Sequence, residues 1–128
     1  MKILLDTHVW LWYLEGSKSL PSRLRKFLDA GGNEIWLSPI SVWEAVMLAE
    51  KGKIKVQPDP QSFVRQSLAA FPVRQAPLTI EVALKSREIP LPHNDPADRF
   101  LAATALVYDL KLATIDKVLS EVQWLPKV

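Results

Sequence analysis

The chain has 128 residues, no cysteine, and sixteen Lys and Arg against fourteen Asp and Glu. That length suits one domain over residues 1–128 with a core of its own, and the missing cysteines exclude a disulfide framework and thiolate metal sites. A net charge of +2 is too small to identify a nucleic-acid partner. No signal peptide precedes Asp6 and no apolar run reaches membrane-spanning length, so a soluble, cytoplasmic protein with no membrane partner is expected.

In chain order, Ile3-Leu4-Leu5 reads as a buried strand that stops at Asp6-Thr7. Val9 to Leu14, with Trp10, Trp12 and Tyr13, then continues as an apolar helix, the first half of a βαβ unit. Asp6 therefore falls at the carboxyl end of the first strand. Pro21 to Asp29 puts Leu24, Phe27 and Leu28 on one helical face and Arg23, Arg25 and Lys26 on another, which by default is solvated.

Glu34 to Ser38 reads as a second buried strand, followed by a helix over Ile40 to Lys51 that Pro39 opens and Gly52 closes. Ser41-Val42-Trp43-Glu44 fits a capping box, which would give Glu44 a local job. With Ser38 as N-cap and Pro39 as the first helical residue, Glu44 instead lies well inside the helix and needs another purpose. The residues leave both frames open.

Gln61 to Ala70 predicts a further helix, Pro72 to Pro77 a short weak strand, and Thr79 to Glu88 a helix with Thr79 as N-cap. Ile89-Pro90-Leu91-Pro92 is an extended loop leading to His93. Asp95 is then an N-cap, Pro96 the first helical residue, and Asp98 falls in the first turn of an apolar helix running to Val107. By itself Asp98 is explained as well by capping and the helix dipole as by chemistry. Leu110 to Ile115 is a strand ending at Asp116, and a short helix and a last strand near Val122 to Leu125 complete the chain. Trp10, Trp12, Trp36 and Trp43 lie in apolar stretches and are assigned to the core.

The alternation predicts an α/β fold, a parallel sheet covered on both faces, with ligands at the carboxyl ends of the strands where connection order reverses. Asp6 and Asp116 each end a strand, and Glu44 and Asp98 sit near helix starts on the same side. Two carboxylates about 4 Å apart repel by roughly 4 kcal/mol at an effective dielectric near 20, so four gain nothing by crowding unless a cation neutralises them. The donors are hard oxygens and no paired histidines accompany them, which points to Mg²⁺ or Mn²⁺ and to work on phosphate esters. His8 and His93 are left outside the ligand set. Thr7, Ser41 and Thr114 are candidates to orient ligands or water. Arg99 is read as a phosphate contact or the ion-pair partner of an acidic neighbour.

Leu4-Leu5-Asp6-Thr7-His8, Ser41-Val42-Trp43-Glu44, Leu91 to Arg99 and Leu112-Ala113-Thr114-Ile115-Asp116 together resemble the PIN-domain ribonucleases, specifically the VapC-like toxins of type II toxin-antitoxin pairs. The four stretches agree in order and spacing over nearly the whole chain. The resemblance implies a three-layer α/β/α sandwich with a central parallel sheet and a Mg²⁺- or Mn²⁺-dependent endoribonuclease acting on RNA. It matches Asp6, Glu44, Asp98 and Asp116 to the family's acidic quartet and puts Asp95 in a branch-specific segment. It also implies a homodimer and a small antitoxin whose tail enters the groove. Ala97 stands where a bulkier residue is expected.

Two other classes compete. A phosphoacceptor or phosphatase domain on a similar sheet would want a second acid close to Asp6, where Thr7 and His8 stand instead. A PIN-like interaction module without catalysis has no need of all four acids.

Overall fold

The strand β1 (Lys2–Leu5) sends Ile3 and Leu5 into one apolar cluster and Leu4 into another, because successive side chains of a strand point to opposite faces. The computed structural model, which describes Met1 to Val128, extends this two-sided burial across a sheet of four parallel strands. β2 (Glu34–Leu37), β3 (Arg74–Gln75) and β4 (Lys111–Ala113) join β1 in the order β3-β2-β1-β4. Leu4 pairs with Trp36 on one side and Leu112 on the other. Ile3, Leu4 and Leu5 are fully buried, each contributing about 2 kcal/mol of burial.

Seven helices cover the two faces: α1 (Thr7–Glu15), α2 (Ser22–Asp29), α3 (Pro39–Glu50), α4 (Pro60–Ala70), α5 (Ile80–Glu88), α6 (Pro96–Val107) and α7 (Lys117–Glu121). Ile3, Leu5 and Ala113 pack with Val9, Trp10, Leu24, Leu28, Ala45 and Val64, which belong to α1 through α4. Leu4 and Leu112 pack with Leu101, Ala102, Ala105 and Leu119 of α6 and α7. The result is the expected three-layer α/β/α arrangement around a parallel sheet. No helix is long and apolar enough to cross a membrane.

The chain runs from β1 outward through β2 to β3, then returns to place β4 on the other side of β1. The reversal puts the connections of β1 and β4 on opposite sides and leaves a crevice beyond their carboxyl ends. Asp6 N donates to Ala113 O at 3.0 Å there, so Asp6 and Thr114 leave the sheet side by side. The helices α1 and α3 follow β1 and β2 with one residue between, and α7 follows β4 with three residues between, and their positive ends point to this same edge.

Two expectations need correction. Val122 to Leu125 is no strand: it is a turn that buries Val122 and Leu125, and the sheet gains only an isolated bridge from Lys127 to Leu112. Trp43 is not in the core, being 58% exposed. On α3, Val42 and Ala45 take the core-facing side, which turns Trp43 outward. Ala97 is buried, so the small side chain is accommodated.

Candidate active site

Asp6 is the N-cap of α1, and both of its carboxylate oxygens are held. Thr7 N donates to Oδ1 at 2.7 Å and Thr114 Oγ1 donates to Oδ2 at 2.6 Å. Thr114 Oγ1 in turn accepts from Asp116 N at 3.0 Å, tying the end of β4 to the end of β1. Asp116 caps α7, accepting from Leu119 N at 3.0 Å. Asp95 caps α6, accepting from Asp98 N at 3.1 Å, with Pro96 as the first helical residue.

For Glu44 the longer frame holds. Ser38 is the N-cap of α3, its Oγ accepting from Ile40 N at 3.1 Å, and Pro39 opens the helix. Glu44 therefore makes no capping bond and turns to the sheet edge. Asp6, Glu44, Asp95, Asp98 and Asp116 line one cavity of ≈ 220 Å³, together with His8 and Ile115. The four acids picked from the chain thus converge, and Asp95 joins them.

The electrostatic cost of this crowding is visible in two groups. Burial, followed by the charges of Asp95, Asp116, Asp6 and Glu44, pushes the Asp98 carboxyl up to about 7. Burial also raises Asp6, with Glu44 adding to it, although the hydrogen bonds from Thr114 and Thr7 pull the other way. A nearby cation would favour the ionised form of a carboxylate crowded in this way. The donor set is oxygen-rich and suits a hard divalent cation, so the residues fit Mg²⁺ or Mn²⁺. Donor atoms of His93, Asp98 and Asp116 come within 4.8 Å of one another, while Asp6 and Glu44 line the same cavity outside that tighter group.

The supporting residues divide differently from expectation. Thr114 stands between the Asp6 carboxylate and the backbone N–H of Asp116. Thr7 contributes through its backbone only, and its hydroxyl, like that of Ser41, is buried without a partner. Arg99 is a correction: it neither pairs with an acid nor reaches the cavity. Its buried guanidinium donates from Nε to Ser86 O at 2.8 Å, from Nη2 to Ile89 O at 2.8 Å and from Nη1 to His93 O at 3.1 Å. Adjacent positions on a helix point about 100° apart, so Asp98 faces the cavity and Arg99 faces α5. Ile115, an apolar wall of the cavity, was not singled out from the sequence. Its place between Thr114 and Asp116 was the available signal.

The PIN domain family profile matches residues 3–125, and the chain belongs to that family. A curated relative, ribonuclease VapC22 of Mycobacterium tuberculosis, is 30% identical over 116 residues, which cover 90% of this chain and 87% of the relative. Among solved structures, VapBC2 from Rickettsia felis bound to a promoter DNA fragment has a TM-score of 0.73 at 16% identity, covering 100% of this chain and 98% of that one. A toxin-antitoxin complex from Klebsiella pneumoniae has a TM-score of 0.66 at 20% identity, covering 94% and 92%. These structures share the fold.

Proposed function

We propose that the protein is a Mg²⁺- or Mn²⁺-dependent endoribonuclease, the toxin of a toxin-antitoxin pair, working in the cytoplasm as a single domain over residues 1–128. One observation carries the reading: five carboxylates share a cavity of ≈ 220 Å³ and hold Asp98 at a pKa of about 7. The 30% identity to a ribonuclease supports the same conclusion.

Asp6, Glu44, Asp98 and Asp116 are the catalytic set and would hold the ion. A bound Mg²⁺ or Mn²⁺ supplies positive charge against the phosphoryl oxygens and lowers the pKa of a water molecule. Thr114 and the Thr7 N–H keep the Asp6 carboxylate in one orientation, so no reorganisation is needed as substrate arrives. Ile115 limits water on one wall. Water attacks phosphorus in line with the P–O3′ bond, which breaks to leave a 5′-phosphate and a 3′-hydroxyl.

RNA is favoured by how the charge is distributed. Removing the five cavity carboxylates from fourteen acidic residues leaves nine, against fifteen Lys and Arg once the buried Arg99 is set aside from sixteen. A surface of that balance attracts a phosphate backbone. An antitoxin partner is supported by the likeness to a toxin-antitoxin complex. A homodimer is supported by α5, where Ile80 and Leu84 lie one turn apart at 80% and 61% exposure, with Leu78 just ahead.

The deciding experiment is cleavage of defined single-stranded RNAs with Mn²⁺ and with chelator, in parallel with Asp98→Asn. Cutting that needs the ion and Asp98 is the expected result. Equal cutting by the variant, or cutting in chelator, overturns the assignment.

A further inference from the structure

The loop between α5 and α6 is gripped from inside. Arg99 reaches back from the first turn of α6 to the carbonyls of Ser86, Ile89 and His93. Its charge is met by carbonyl dipoles at the negative end of α5 rather than by a carboxylate. The path of residues 89–93 is therefore fixed relative to Asp98, which neighbours Arg99 on the same helix.

That fixed loop brings His93 against Asp98. Asp95 N donates to His93 Nδ1 at 3.1 Å. A ring nitrogen that accepts carries no proton, so in the neutral imidazole the proton is on Nε2. His93 Nε2 stands 3.3 Å from Asp98 Oδ2. His93 belongs to the tight donor group with Asp98 and Asp116, which admits two roles: ligand, or holder of a ligand. With the proton on Nε2 and the Nδ1 lone pair committed to Asp95, no nitrogen lone pair is free for a cation.

We infer that His93 is a positioning residue: its Nε2 edge, 3.3 Å from Oδ2, stands against the Asp98 carboxylate and keeps it in the orientation that meets the divalent cation. The inference rests on the metal-dependent reading above and adds to it a residue outside the acidic set. Outer partners of this kind set the orientation and affinity of a ligand without touching the metal.

The test is Mn²⁺ titration by calorimetry on the parent protein, His93→Ala and His93→Gln, with thermal midpoints measured without metal. Gln carries an amide N–H that can replace Nε2–H. The expected result is a Kd for Mn²⁺ raised about tenfold in His93→Ala, largely recovered in His93→Gln, with metal-free midpoints matching the parent. If His93→Ala binds Mn²⁺ as the parent does, the positioning role is overturned. If His93→Gln is as weak as His93→Ala, an N–H donor at this position does not restore the site and the positioning role is equally overturned. A parent protein that binds no Mn²⁺ removes the metal-dependent reading, and this inference with it, a result distinct from the other two.

Discussion

Thr114 Oγ1 donates to Asp6 Oδ2 at 2.6 Å while accepting from Asp116 N at 3.0 Å. One hydroxyl thus joins the ends of two neighbouring strands and fixes the Asp6 carboxylate relative to the backbone of Asp116. Thr114→Val keeps the shape and removes both bonds. Its Mn²⁺ affinity is expected to fall about tenfold, with a stability cost of about 1–3 kcal/mol for the bonds left unmade. Thr114→Ser should recover most of both. Calorimetry and urea denaturation read the two effects separately, and a Val variant that binds metal as the parent does contradicts the role.

Asp98→Asn separates catalysis from folding. Removing one carboxylate from a cluster of five should lower RNA cleavage by ~100-fold or more, since several kcal/mol of charge stabilisation is lost. Without metal the same change relieves repulsion, so the thermal midpoint should rise. Added Mn²⁺ should then raise it less than in the parent. A metal-free midpoint below the parent's speaks against charge crowding at this position.

Stability without metal should fall as pH rises from about 4 to about 7. The Asp98 carboxyl titrates near 3.8 when unperturbed and is held up to about 7 in the folded protein. Below the first value both states are protonated and the folded state bears no penalty. Between the two the unfolded chain releases its proton and the folded protein keeps it, which favours unfolding. Asp6 is raised as well and acts in the same direction. Saturating Mn²⁺ should flatten the profile, and its binding should release protons below pH 7. Thermal melts at several pH values, with and without the ion, check the sign.

The site was legible in the chain because strand ends are. Apolar runs that stop at Asp6 and Asp116 place both acids at the sheet edge whatever the rest does. Glu44 was ambiguous because Ser38 and Ser41 both make credible caps, and only Ser38 makes the bond. Arg99 and Trp43 were misread for a shared reason. Each was judged by its sequence neighbour, but neighbours on a helix face different ways. Val122 to Leu125 has apolar residues that look like strand, yet Val122 and Leu125 are buried by a turn. Long-range pairing decided that segment, and local pattern does not carry it.

Arg99→Met should destabilise the protein by about 3 kcal/mol or more, because several carbonyls lose a charged donor at once. The loss should appear in urea denaturation with metal absent. If stability is unchanged and only RNA affinity falls, the residue acts on phosphate after all.

Replacing Ile80 and Leu84 by Asp should leave the fold intact, since both side chains are exposed. Sedimentation should then show a monomer where the parent sediments as a dimer. Identical sedimentation of the two proteins removes α5 from the dimer contact.

Three of the five cavity carboxylates, Asp6, Asp95 and Asp116, also begin helices. Each serves as both cornerstone and tool, so cutting the side chain away removes a helix start along with the charge. Truncating any of the three to alanine removes a cap worth about 1 kcal/mol along with the carboxylate. Asparagine keeps the cap and discards the charge, which makes amide replacements, not alanines, the way to obtain a disarmed protein that still stands.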